Sequence, residues 1–356
     1  MAEKYDELQK QMKDKSVDPA KYLPRVSEEI KKDDSKEFAK ACKYELMDDI
    51  IDRVKAAKNK HEKLMVELCI EYMKKKTQKY YELAKEIFDE KAVVRWKGHE
   101  EAIEQMIRIL EEPIEWEPTD REKENIHEKH VSWDNQGRAL KDAVEKMIEA
   151  CSRDKMIKKV APSFGRLLSS AIKSGSDMHI VVAIAIVETS EMEWEGNEKL
   201  IPGILEAFDK WLRRDDIDLE ENLDHKCLAG TVISNLHEHA GKSSVPHLKS
   251  LMEYCMDQEL ESDHVWSLSV HGDILCNIIF GFILRNTEKL KIFKDLLPYV
   301  VKLLLGDVKD LENVAAYAIG TVYENGELLA PYGDDIADAY LESEDIWCEK
   351  TDVGSE

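Results

Sequence analysis

The chain reads as all-α, a stacked array of antiparallel helix pairs, on three observations. First, five prolines recur in one local setting: Val160-Ala161-Pro162, Leu200-Ile201-Pro202, Ser244-Val245-Pro246, Leu296-Leu297-Pro298 and Leu329-Ala330-Pro331. Behind them apolar residues return at helical spacing, as Phe164, Leu167, Leu168 and Ile172 do after the first and Ile204, Phe208 and Leu212 after the second. Proline suits the first turn of a helix, where its missing N–H has no intrahelical acceptor, so each should start or restart an amphipathic helix. Second, the intervals between these prolines are 40, 44, 52 and 33 residues, the period of a helix-pair repeat. Third, 356 residues with only 15 glycines and 9 prolines, 35% charged residues and no alternating segments leave little room for strands.

Residues 1–112 form a region of long polar helices. Leu46, Ile50, Ile51 and Val54, then Leu64, Met65, Leu68, Cys69, Tyr72 and Met73, then Tyr80, Tyr81, Ala84, Ile87 and Phe88 recur at helical spacing. The stripe drifts from a strict seven-residue repeat, which favours packing into a bundle or first layer over a coiled coil. Residues 113–136 hold Pro113, Pro118 and two tryptophans with little periodicity, and read as a loop or joint.

Residues 137–341 read as helical repeats. In each pair one helix carries the proline and the other is richer in Ala, Val and Ile, at about 178–190, 227–240, 265–283 and 311–323. Those second helices should lie between layers, with Ala183, Ile184, Val187, Val232, Ile233, Leu236, Ile274, Ile278, Ala315, Ala318 and Ile319 buried. Gly137, Gly165, Gly175 and Gly196 stand singly, as turns or caps. Residues 342–356 are an acidic tail.

The balance of 74 Asp and Glu against 51 Lys and Arg, net −23, argues against direct binding to nucleic-acid phosphates. Seven cysteines without a C-x-x-C, most of them on apolar helical faces, read as reduced core residues, and no apolar run is long enough to span a bilayer. These features point to the cytoplasm or the nucleus. No cofactor or metal is implied. His237 and His239 point to different sides of a helix, His127 and His130 lack a third ligand, and no phosphate cradle or nucleophile elbow occurs. An enzyme is therefore not expected.

Two acidic connectors are candidates for partner binding. Glu188, Glu191, Glu193 and Glu195 surround Trp194, and Asp215, Asp216, Asp218, Glu220, Glu221 and Asp224 follow Trp211. Stacked in register they would form a negative strip for a lysine- or arginine-rich segment, with Trp194 and Trp211 at its margin or anchoring the turns. The plainer reading is that these carboxylates solubilise the repeat edges.

The stretch LLPYVVKLLLGDVKDLENVAAYAIGTVYENG, residues 296–326, resembles a HEAT repeat. Asp307 or Asp310 takes the turn position, Ala315, Ala316 and Ala318 allow close helix approach, and Gly320 stands where that family keeps a small residue. Trp266 to Leu275 is similar to the paired helix of importin-β-type nuclear transport receptors, so the resemblance spans about residues 260–341. Glu312 stands where the repeat family commonly carries an arginine, so its arginine–aspartate ladder is missing. The resemblance implies a right-handed α-solenoid of HEAT or armadillo type, and a non-catalytic scaffold or adaptor that binds protein partners on a concave face. The alternative it offers is a divergent importin-β-like receptor for basic cargo segments.

Overall fold

The computed structural model describes residues 6–32, 44–56, 58, 60–116, 131–190, 192, 194, 196–217, 219, 222–236, 239–260, 269–279, 281, 292–304 and 330–342. Every regular element among them is helical. The chain divides into two compact units, Met1–Asn197 with Glu220–His225, and Glu198–Leu219 with Lys226–Glu356.

The first unit holds α1 (Asp6–Lys13), α2 (Leu23–Lys31), α3 (Tyr44–Ala56), α4 (Glu62–Lys75), α5 (Gln78–Asp89), α6 (Glu100–Glu111), α7 (Asn135–Arg153), α8 (Ile157–Ser174) and α9 (Asp177–Glu188). Its helices pack with alternate neighbours. α2, α4, α6 and α8 make one row and α3, α5, α7 and α9 another, with α4 on α5 and α8 on α7 and α9 across the rows.

Bonds between helices show the direction of each row. Lys75 of α4 donates to the Lys32 carbonyl just past α2, His99 before α6 meets Glu62 of α4, and Lys159 of α8 meets Glu100 of α6, so like ends lie together. In the other row Lys85 of α5 pairs with Asp142 of α7 at 2.8 Å and Lys146 of α7 with Asp89 of α5 at 3.3 Å. Helices within a row thus run parallel, as they must when short links such as Lys76-Thr77 reverse the chain between rows.

Sequence explains the depth of each helix. α4, α5 and α6 bury one stripe and leave a charged face, whereas α9 is buried from Met178 to Val187 on every side because it carries a charge only at its ends. Gly175 ends α8 in the left-handed region at φ 64°, its N–H donating to the Ala171 carbonyl. Gly137 is not a turn but the third residue of α7, and a Cβ there would lie 1.7 Å from the Val131 carbonyl oxygen. Close approach of the Val131–Trp133 turn to α7 is what requires glycine. Gly165 is likewise helical, inside α8, while Gly196 does take a turn at φ 82°.

The second unit contains α10 (Ile201–Leu212), most of α11 (Leu223–Leu236), α12 (Val245–Leu260), α13 (Val270–Ile278), α14 (Leu297–Leu304) and α15 (Gly333–Glu342). α10, α12 and α14 form a row, α13 packs on α12, and α15 packs on α14. Asp209 of α10 and Arg213 just past its end both bond Ser250 of α12, and Tyr299 of α14 donates to Glu253 of α12 at 2.6 Å. Asp209 and Arg213, four residues apart at the end of α10, also pair with each other at 2.8 Å, while Glu312 lies outside the described residues.

Pro202, Pro246 and Pro298 stand second in α10, α12 and α14, and Pro331 lies in the Ala330–Tyr332 turn that leads into α15. Pro162 departs from the expected place as the sixth residue of α8, a turn past the start, because α8 begins at Ile157 on an apolar stripe that the proline only interrupts. Pro24, second in α2, starts a helix in the same way after Tyr22-Leu23. Of the residues expected to be buried, those described are: Ala183, Ile184, Val187, Val232, Ile233, Leu236, Ile274 and Ile278 are at most 3% exposed. Ala315, Ala318 and Ile319, with most of the stretch that resembles a HEAT repeat and all but Ser269 to Leu275 of the preceding one, lie outside the described residues.

Candidate interaction groove

A groove of about 1160 Å³ runs over the α4–α6–α8 row. Its walls follow from helical spacing. Lys63, Val66, Glu67 and Ile70 line it from α4, Glu101, Gln105 and Arg108 from α6, and Lys159 and Val160 from α8. Positions three, four and seven apart share one helical face, so each helix presents a single stripe. Val66, Ile70 and Val160, at most 8% exposed, make an apolar floor between charged walls.

The turn before α6 sets the register. Gly98 at φ +100° takes a conformation that side chains disfavour, and the His99 N–H donates to the Trp96 carbonyl at 2.8 Å. Trp96 is itself held, its ring buried against Phe88 and its backbone N–H donating to the Asp154 carboxylate at 2.6 Å. His99 Nε2 then lies 3.0 Å from Glu62 Oε1, which aligns the first turns of α4 and α6.

Charges in and beside the groove fall into two sets. Glu100 accepts from its own backbone N–H and lies 3.3 Å from Lys159, and the backbone bond most of all holds its carboxyl below the ordinary value. Glu104 accepts from Ser163 and Arg166, and Arg166 also bonds Glu111 at 2.8 Å, which raises the guanidinium pKa. By contrast Lys63, Glu67, Glu101, Gln105 and Arg108 are exposed and make no side-chain bond among the described residues. The arrangement suits recognition of charge over an apolar floor.

The acidic connectors look different in three dimensions. Glu188 pairs with Lys141 of α7 at 2.7 Å. Asp216 is gripped by both Nε and a terminal nitrogen of Arg214, at 2.8 and 2.6 Å, while Asp215 is exposed. Asp224 is buried, accepting from the N–H and hydroxyl of Ser132, because Asn222 caps α11 and turns the chain inward there. Trp194 and Trp211 are buried at 3% and 1%, Trp211 stacked on Phe208 at 5.7 Å, so both indoles sit inside their units. Glu191, Glu193, Glu195, Asp218, Glu220 and Glu221 lie outside the described residues, as do His127, His130, His237 and Trp266.

The groove escapes a reading of the sequence. Its only signal there is the polar stripe on α4 and α6, which every amphipathic surface helix carries. Among the described residues no cluster of His, Cys, Asp and Glu could hold a metal ion, and no helix is long and apolar enough to cross a membrane. No family model, no curated protein and no solved structure matches the chain.

Proposed function

We propose that the chain is a non-catalytic scaffold or adaptor, an α-solenoid of HEAT or armadillo type that binds a segment of a protein partner in the α4–α6–α8 groove. The observation that carries this reading is the split between tied and untied charges on one row. The flanking charges are engaged in holding α8 to α6, whereas five polar side chains in the groove point to solvent beside an apolar floor. Exposed charges around a desolvated floor are the usual form of a peptide-binding groove, in which the apolar contacts give affinity and the charges give orientation and rate. A net charge of −23 directs the reading to protein rather than nucleic acid. Buried free thiols at Cys69, Cys151 and Cys255 fit work in the cytoplasm or nucleus, where thiols stay reduced.

The test is capture of partners from the native cell by the full chain, followed by hydrogen-exchange footprinting of the purified complex. Protection should fall on α4 and α6. A turnover with any substrate that survives removal of every partner would refute the non-catalytic reading.

A further inference from the structure

We infer that the chain carries a second docking surface, a basic patch where the links around α1, α2 and α3 meet, and that it takes a short acidic segment of a protein partner. The patch shares no residue with the groove over α4, α6 and α8.

Two links are fastened side by side to build it, one from α1 to α2 and the other from α3 to α4. Arg53 of α3 donates to the Met12, Asp14 and Val17 carbonyls of the first link. Lys60 and His61 of the second both meet the Asp18 carboxylate of the first, at 2.9 and 3.1 Å. Around this junction Lys13, Lys15, Lys21, Arg25 and Lys58 are exposed, and none makes a side-chain bond among the described residues.

Acids do not balance these five bases. Asp18 is engaged by Lys60 and His61, which leaves Asp14, held ionised by bonds from the Ser16 hydroxyl and N–H, and Glu28 a turn further along α2. Asp52 of α3 acts instead on Lys55, as Glu86 and Glu90 do. The junction is therefore basic on a molecule whose net charge is −23. Helix dipoles account for only part of it. Lys13 ends α1 and Lys58 lies just past α3, where bases are favoured, but Lys21 and Arg25 flank the start of α2, where a base is disfavoured and no acid stands in the first turn.

The contrast between the patch and the whole molecule sets the size and charge of the occupant. Exposed charges act over about 8 Å at physiological ionic strength. A long polyanion, whether nucleic acid or an anionic membrane surface, reaches past the patch to a chain with 74 acids against 51 bases and is repelled there. A short run of Asp and Glu stays within reach of the five bases. Four of those five are lysines, compact charges on flexible stems that suit carboxylates in no fixed geometry.

The experiment is fluorescence anisotropy of the full chain with a labelled Glu-rich peptide in Gly-Ser flanks and with its Gln counterpart. The Glu peptide should bind at low salt and weaken at high salt, and the Gln peptide should not bind. The Lys15→Gln/Lys21→Gln/Arg25→Gln variant should bind the Glu peptide about tenfold more weakly. Removing as many exposed bases from the second unit, in Lys242→Gln/Lys294→Gln/Lys302→Gln, should change binding by less than about twofold. If the first variant does not fold by circular dichroism, Arg25→Gln alone should weaken binding about twofold. No binding of the Glu peptide, an equal loss in the two triple variants, or tighter binding of single-stranded DNA or phosphatidylserine vesicles than of the Glu peptide overturns the inference. Both triple variants keep every groove residue, so native partner protected on α4 and α6 in either of them would leave the groove reading standing.

Discussion

Gly137 and Gly203 show how one substitution can take opposite signs. Alanine at Gly137 gains helix propensity of about 1 kcal/mol, but its methyl would lie 1.7 Å from the backbone oxygen of Val131, so backbone must move. Overpacking of this kind costs about 1–3 kcal/mol, and the net effect should be a thermal midpoint lower by a few degrees. Gly203 in α10 is exposed, nothing lies within 4 Å of the place a methyl would take, and Gly203→Ala should raise stability by about 0.5–1 kcal/mol. Melting both variants beside the parent checks the pair. His179 supplies the pH dependence. Its Nδ1 lies 2.7 Å from Ser176 Oγ and 3.0 Å from Ser174 Oγ at the start of α9. Burial pushes the imidazole below its ordinary 6.5, Lys76 adds to this, and the carbonyls of Leu110 and Glu112 at the end of α6 oppose it. The unfolded chain then binds the proton more readily than the folded one, so stability should be constant above about pH 6.5 and fall as pH drops below it. His271, also lowered by burial, acts in the same direction. Denaturant midpoints between pH 7.5 and 5 should decline less steeply in His179→Asn, which keeps a polar group beside the two serines.

At the scale of elements, the ends of helices are joined by single side chains whose reach the sequence does not display. Arg53 of α3 donates to the Met12 carbonyl at 2.8 Å, the Asp14 carbonyl at 3.1 Å and the Val17 carbonyl, with its guanidinium 5.3 Å from the centre of the Tyr22 ring. A lysine cannot divide itself among three acceptors in that fork. Arg53→Lys should therefore speed amide exchange across residues 12–17 while leaving α4 to α9 unchanged, which exchange mass spectrometry would read. α9 tests packing instead of bonding. Ala183→Leu would add volume inside a helix buried on every side and should cost about 1–3 kcal/mol. Much at this scale was legible in advance: Pro202, Pro246 and Pro298 marked helix starts because proline removes a donor that the first turn does not use, and the Ala/Val/Ile-rich run at 178–187 announced a central helix. Pro162 was less legible, since an apolar stripe can begin a helix ahead of a proline and tolerate the lost bond.

For the molecule as a whole, sequence showed the sign of charge but not its pairing. Glu188 reads as part of an open acidic edge, yet Lys141, 47 residues earlier in the chain, lies against it, and Asp224 is an interior hydrogen-bond acceptor. The groove was hidden for the same reason. It exists because Gly98 and the His99–Glu62 contact bring α4 and α6 into register across 37 residues, and no spacing rule within one helix encodes that alignment. Partner binding in this groove is tested most sharply through its untied charges. The quadruple variant Lys63→Glu/Glu67→Lys/Glu101→Lys/Arg108→Glu should melt within about 0.5 kcal/mol of the parent, as surface changes without internal partners do. The decisive measurement is a binding isotherm of the captured native partner on parent and quadruple variant. Binding should be lost with the melt unchanged, and parental affinity in the folded variant would rule out the groove as the binding site.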